Sequence, residues 1–365
     1  MTERNRFIDL AKGIAIILVL FNHYEFSPKS IFSTHIYYWI VCMAVPVFML
    51  CTGYVTAASY SSKNVAVRQA YSKEALVPKL CRYVLPVLWF YVAETVLTFI
   101  FQKTGYLDYI GTLDFPYRDG YGKKMTLLGS IIFFFAGGRG QHGTYYFPVI
   151  MQVAFMIPLI YAAVKKWKWG VWLCFGINLA LEILKNPLAS LLVSFGISSK
   201  VPYGAYRLLA FRYIFIIALG CYVYLYRDRL GKWYKWAVFA AIGAVYIYLV
   251  NYEITNRLIF TYWHRTAMPV AFFVAPAFVL GIKYLAKVRF TPLEELGKAS
   301  YHILMVQILY YNFFAPLVWT APKNVIPNAF VGMLISLVVC LAGGYGYYKL
   351  YGFVAGKYKM FKSKK

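Results

Sequence analysis

The sequence predicts an all-α, polytopic transmembrane helical bundle of about ten spanning helices plus one short re-entrant or interfacial segment, with both termini cytoplasmic. Three observations carry that prediction. The chain has 365 residues, 61% hydrophobic and only 14% charged, and a soluble domain of this length carries more charge. Its apolar residues come in long unbroken runs, the length that a hydrocarbon core of roughly 30 Å demands. Its lysines and arginines gather at the ends of those runs, dense on every second connection.

The predicted spans are 8–26, 36–59, 82–102, 145–164, 169–186, 207–226, 236–251, 266–286, 299–319 and 328–350. The first is interrupted by Lys12, carries Asn22 and His23 near its end and lacks a small-residue cleavage site after it. It therefore reads as a retained helix, not a signal peptide. With the N-terminus in the cytoplasm, 25 of the 38 Lys and Arg residues fall on the inner side, in short basic connections. Residues 125–138 are apolar but too short to span. Were they to span, Lys165, Lys166 and Lys168 would land outside, so the segment is predicted to re-enter. A Gly-rich outer stretch follows it, Gly137-Gly-Arg-Gly-Gln-His-Gly143. Residues 1–352 form one transmembrane domain, and 353–365 a basic cytoplasmic tail suited to anionic headgroups.

The net charge of +25 does not indicate nucleic acid, because the basic residues sit where positive-inside topology needs them. Of the six cysteines, Cys42, Cys51, Cys174, Cys221 and Cys340 lie inside apolar runs and Cys81 starts one. None shows metal spacing, so they read as free structural thiols and no metal is expected.

The first helix carries the chemistry. Lys12 and His23 are eleven residues apart, an angular offset of only ~20° at 3.6 residues per turn. Both point to one face, Lys12 near the inner surface and His23 toward the outer half. Asp9, three residues before Lys12, can pair with it. Ionisable residues within a span usually face a polar cavity and have a function. The plainer alternative is that Lys12 snorkels and His23 hydrogen-bonds near the outer end. At the start of the third span, Lys79-x-x-Arg82 places two cations on one side, either ordinary inner-end charge or a phosphate clamp.

These residues resemble the acyltransferase-3 family of membrane acyltransferases. Asp9 followed by Lys12-x10-His23 is similar to that family's opening helix. Val45-Pro-Val-Phe-Met-Leu-Cys-Thr-Gly-Tyr54 looks like its second-helix segment, Lys79-x-x-Arg82 like its Arg-x-x-Arg motif, and Gly297-Lys-Ala-Ser-Tyr301 like its Gly-x-x-Ser-Tyr segment. The chain departs from the pattern at His142-Gly-Thr-Tyr-Tyr146, where a Trp often follows the His, and at Gln307, where a His is common.

The resemblance implies transfer of an acyl group, expected to be acetyl, from acetyl-CoA to a hydroxyl of a cell-surface glycan. Catalytic roles would fall to His23, Asp9 and Lys12, with cofactor binding at Lys79, Arg82 and Lys12. Acceptor binding would fall to His142, Tyr145, Ser300 and Tyr301. His23 would act as general base or as acyl carrier. The expected partners are acyl-CoA, a glycan or lipid-linked sugar, membrane lipid and a second copy of the chain, in the plasma membrane. Among the residues weighed apart, Glu94 and Glu182 are acids within spans, and Arg207 and Arg212 stand at an outer helix start where sugar or phosphate could bind. His35, His264 and His302 read as structural, and Glu25 as rim. The competing function is a transporter or flippase for a lipid-linked sugar, which usually needs inverted repeats that the sequence does not show.

Overall fold

The computed structural model describes residues 6–24, 36, 39–40, 43–106, 143–196, 206, 208–230, 233–248, 267–315 and 329–363. The predicted re-entrant segment 125–138, together with Glu25, His35, His142, Arg207 and His264, lies outside the described residues. The described residues are helical, with no strand among them. In chain order the helices are α1 (Arg6–His23), α2 (Ala44–Ser62), a short α3 (Val67–Ala70), α4 (Lys73–Lys103), α5 (Tyr146–Lys166) and α6 (Gly170–Ser194). A 3-10 turn (Ala210–Tyr213) then leads into α7 (Ile214–Leu225). The rest are α8 (Trp233–Tyr248), α9 (Ala267–Leu285), α10 (Thr291–Phe313) and α11 (Ala329–Ser363).

Among the described residues, four helical stretches are long and apolar enough to cross a membrane: Lys73–Phe101, Tyr146–Lys166, Gly170–Ser194 and Phe330–Gly356. Ala210–Leu225, Tyr234–Val245 and Val270–Leu285 are shorter apolar helices. The distribution of side chains is that of an integral membrane protein. On α4, Val92, Val96 and Phe99 face outward while Glu94 and Thr98 are buried; on α6, Leu184, Leu188 and Leu191 face outward while Asn178 and Glu182 are buried. Large apolar residues on the outside and polar ones on the inside suit lipid, not water.

Among the described residues two large apolar cores fill the bundle, with a small third cluster around Phe313. One surrounds α7, whose residues from Ile214 to Cys221 are all buried; the other surrounds α10. α1 joins them, giving Phe7, Ile8 and Leu10 to the first and Ile16, Val19 and Leu20 to the second. Close helix crossings depend on glycine. A Cβ on Gly53 of α2 would collide with the Ile217 carbonyl of α7, and one on Gly220 with the Leu50 carbonyl. A Cβ on Gly297 of α10 would collide with the Asp9 carbonyl of α1, and one on Gly13 with the Leu293 carbonyl. Small residues let membrane helices approach backbone to backbone, which is where their packing energy comes from.

Several helix limits differ from those read off the apolar runs. α4 begins at Lys73, not near 82, because Ser72 caps it: its hydroxyl accepts the Ala75 N–H at 3.3 Å. The helix then runs through Pro78 and Pro86, which membrane helices tolerate. α10 begins at Thr291, where the Glu294 carboxylate accepts the Phe290 N–H at 3.2 Å, eight residues before the apolar run starts. α11 continues through 353–363, the residues expected to be a tail. At 35 residues it is roughly 50 Å long, more than a hydrocarbon core needs. Cys51, Cys174, Cys221 and Cys340 are free and buried, and Cys81 is free and exposed.

Candidate functional site

His23 occupies the last position of α1, half-buried against α10. Its Nδ1 lies 3.1 Å from the side-chain oxygen of Gln307. An amide oxygen only accepts, so this contact places the imidazole proton on Nδ1 and makes Nε2 the basic nitrogen. One turn further along α10, the Tyr311 ring meets the imidazole edge-on at 6.4 Å, and its hydroxyl donates to the Leu20 carbonyl at 3.0 Å. Gln307 and Tyr311 thus hold the last turn of α1 from one face of α10.

The other edge of the imidazole faces the turn before α5. Gly143 has φ +102°, a conformation that suits glycine, and a Cβ there would stand 3.0 Å from His23 Cε1 and 3.5 Å from Nε2. Thr144 follows; its carbonyl accepts the Phe147 N–H at 3.1 Å and starts α5. Tyr145, the next residue, is the N-cap of α5 and is half-buried.

Asp9 is buried and Lys12 half-buried on α1, and both act electrostatically on the Cys51 thiol of α2. The ion pairs among the described residues are Lys185–Glu182, Arg227–Asp228, Lys298–Glu295 and Lys349–Glu295, so the expected Asp9–Lys12 pair is not one of them. At three-residue spacing the two share a helix side, and it is the Asp9 backbone carbonyl that meets Gly297 of α10.

Lys79 and Arg82 lie within electrostatic reach of each other. The Lys79 ammonium turns inward, 3.4 Å from the Ala154 carbonyl of α5 and 6.0 Å from the Tyr60 ring centre, whereas Arg82 is exposed. An aromatic collar begins at Tyr83, next to Arg82 in the chain. Tyr301 donates to the Tyr83 carbonyl at 3.0 Å, its ring lies 6.0 Å from that of Tyr83 and 6.2 Å from that of Phe147, and Ser300 beside it is buried. Ser300 and Tyr301 therefore stand about two turns before Gln307 on α10, with Tyr301 against Tyr83 of α4 and Phe147 of α5. Among the described residues no three His, Cys, Asp or Glu side chains gather as a metal would require.

Reasoning from sequence had noted Gln307 only as a departure and had missed Tyr311 and Gly143. The signal was present for Tyr311, four residues after Gln307 and so on the same helix face. Gly143 stood out only as the end of a Gly-rich stretch, and its role depends on a contact with residue 23.

No curated protein and no solved structure gives a significant match. A family model described as an acyltransferase domain, Acyl_transf_3, matches residues 5–345, and so takes in His23, Lys79, Arg82, Tyr145 and Gln307. Most of the chain is covered, and the chain belongs to the acyltransferase-3 family.

Proposed function

We propose that this protein transfers an acyl group, acetyl in the simplest case, from cytoplasmic acyl-CoA to a hydroxyl of an extracytoplasmic or lipid-linked glycan, in the plasma membrane. The observation that carries the reading is the His23–Gln307 contact, an oriented imidazole inside a bundle of the right family. Nε2 of His23 takes the proton of the acceptor hydroxyl as its oxygen attacks the thioester carbonyl. The C–S bond then breaks, and the imidazolium returns the proton to the departing thiolate of CoA. Histidine's ordinary pKa of ~6.5 suits a base at neutral pH. Lys79 and Arg82 hold the phosphates of CoA at the inner face, and the pantetheine arm follows the aromatic collar of Tyr83, Phe147 and Tyr301 upward. Lys12 and Asp9 keep the inner half of the path polar.

The test is transfer from labelled acetyl-CoA by purified protein in nanodiscs, without any gradient. His23→Ala is expected to lower transfer by roughly 10²- to 10⁴-fold while the protein elutes as the wild type does. Full activity in that variant removes His23 from the chemistry. Lys79→Ala with Arg82→Ala is expected to raise the KM for acetyl-CoA with little change in kcat. An unchanged KM assigns those charges to topology alone.

A further inference from the structure

A polar pair that the mechanism does not use lies between α4 and α10. Glu94 of α4 and Asn312 of α10 are both buried. The Asn312 amide nitrogen donates to a Glu94 carboxyl oxygen at 3.2 Å. The Thr98 hydroxyl, one turn on, donates to the Glu94 backbone carbonyl at 2.8 Å and so does not hold the carboxyl. No ion pair among the described residues includes Glu94.

Two features set this pair apart from an ordinary bridge between helices. The first is the Asn312 amide oxygen, which is buried and has no hydrogen-bond partner. Buried amides are normally satisfied at both ends, and a bridge that only held two helices together would be no exception. The second is the carboxyl itself. An acid inside a membrane bundle is costly and tends to mark a substrate path, the more so where no protein cation pairs with it. The amide oxygen and the carboxyl both retain lone pairs that a ligand's donors can fill.

Direct contacts join the pair to His23 from two sides. Asn312 follows Tyr311, whose ring meets the imidazole at 6.4 Å. Tyr91 stands one turn before Glu94 on α4, and its ring lies 6.2 Å from that of Phe147. The Phe147 N–H bonds to the Thr144 carbonyl, and Thr144 follows Gly143, the residue against the imidazole. The height of the pair is fixed as well. The Tyr301–Tyr83 and Asn312–Glu94 bonds each join residues 218 apart, so α4 and α10 run parallel and in register between them. Asn312 comes five residues after Gln307, roughly 7.5 Å farther along α10 than the partner of His23.

We infer that Glu94 and Asn312 form an acceptor subsite that binds adjacent hydroxyls of an uncharged sugar unit. The inference rests on the acyl-transfer reading above and narrows its acceptor. One hydroxyl donates to the Asn312 amide oxygen and its neighbour pairs with the Glu94 carboxyl. A hydroxyl both donates and accepts, so it matches that carboxyl in either protonation state. An anionic substituent would meet an acid with no cation to offset it, which selects against acidic sugars.

The test uses the full chain in nanodiscs with three probes at equal concentration: methyl β-D-glucoside, methyl β-D-glucuronide and tetrahydropyran-2-methanol, a ring without adjacent hydroxyls. The glucoside is expected to raise the thermal midpoint by a few degrees and the other two to raise it less than half as far. Replacing both partners, Glu94→Leu with Asn312→Leu, should abolish the glucoside shift and leave the protein at least as stable as wild type, since an apolar pair needs no hydrogen bonds. Glu94→Gln keeps the hydrogen bonding without the charge, so it should retain part of the glucoside shift and admit the glucuronide. Equal shifts from all three probes, no shift from any, or a glucoside shift surviving in the double variant would each overturn the subsite. Should the double variant not fold, undiminished discrimination against the glucuronide in Glu94→Gln overturns it too. Transfer from acetyl-CoA is read in parallel. The kcat/KM for the glucoside is expected at least tenfold above that for the glucuronide, and to fall at least tenfold in the double variant with KM for acetyl-CoA unchanged. Selective stabilisation with no transfer to any probe leaves the subsite standing and removes the glycan acyltransferase reading. Transfer with no preference among the probes in either measurement does the reverse.

Discussion

His23 and Gln307 meet at 3.1 Å although 284 residues separate them, and each lies ten residues beyond a glycine of the same helix crossing. Gly13 precedes His23 on α1, and Gly297 precedes Gln307 on α10, where the two backbones touch. Ten residues of helix is roughly 15 Å, so two parallel helices in contact at the glycines arrive together at the imidazole. Replacing Gln307 by Leu removes the acceptor that fixes the tautomer. A lost hydrogen bond of about 1–1.5 kcal/mol corresponds to roughly tenfold in rate. Gln307→Leu is therefore expected to lower kcat about tenfold or more with KM for acetyl-CoA unchanged, and Gln307→Glu, which keeps an acceptor, to lower it less. Equal losses in both variants would show that the side chain packs and does not orient.

Gly143 is the position where backbone conformation and chemistry coincide. Alanine there meets an unfavourable φ of +102° and brings a methyl group against the imidazole. The backbone term costs on the order of 1–2 kcal/mol. Gly143→Ala is expected to lose about tenfold or more in transfer while the thermal midpoint falls by only a few degrees. An active variant of ordinary stability would show that the turn moves away from His23 without consequence.

The helix crossing itself can be tested against a glycine that packs on nothing. Gly297→Ala drives a methyl group into the Asp9 carbonyl, and overpacking of this kind costs about 1–3 kcal/mol. Gly346 of α11 has no atom within 4 Å of an added Cβ. Gly346→Ala should stabilise its helix by roughly 0.5–1 kcal/mol. Thermal unfolding in one detergent distinguishes the two; equal effects would mean that the α1–α10 contact is looser than the structure shows.

Glu295 supplies a pH-dependent contact at the start of α10. The Lys298 ammonium donates to it at 2.6 Å, Lys349 lies 3.8 Å away and the Tyr345 hydroxyl 3.4 Å. The Lys298 bond first, and the nearby cations with it, hold the carboxyl below the usual glutamate range. An acid whose pKa is lowered on folding stabilises the protein above its unfolded pKa and loses that contribution as pH falls through the folded value. The contact is partly exposed, so the effect is small. Wild type is expected to exceed Glu295→Gln in thermal midpoint at neutral pH, with the gap closing on acidification below the glutamate range. A gap that stays constant with pH would remove the ion pairs from the account.

Much of the fold was legible because the bilayer imposes it locally. Apolar runs such as those of α5 and α6 must become helices, since no other chain conformation satisfies its own backbone in lipid. The ends were less legible. α4 and α10 begin in polar residues, set by the Ser72 and Glu294 caps, which counting apolar residues does not weigh.

By itself the sequence determined the helical membrane architecture and the spacing that puts Lys12 and His23 on one face of α1, because both follow from the rise and pitch of a single helix. Only the tertiary structure decided what that face meets. It brought Asp9 and Lys12 within electrostatic reach of Cys51 on α2, turned the Lys79 ammonium toward the Ala154 carbonyl, and gave the imidazole its partner in Gln307. Those outcomes depend on which helices cross and at what register, which the glycines at 13 and 297 fix through contacts between residues far apart in the chain.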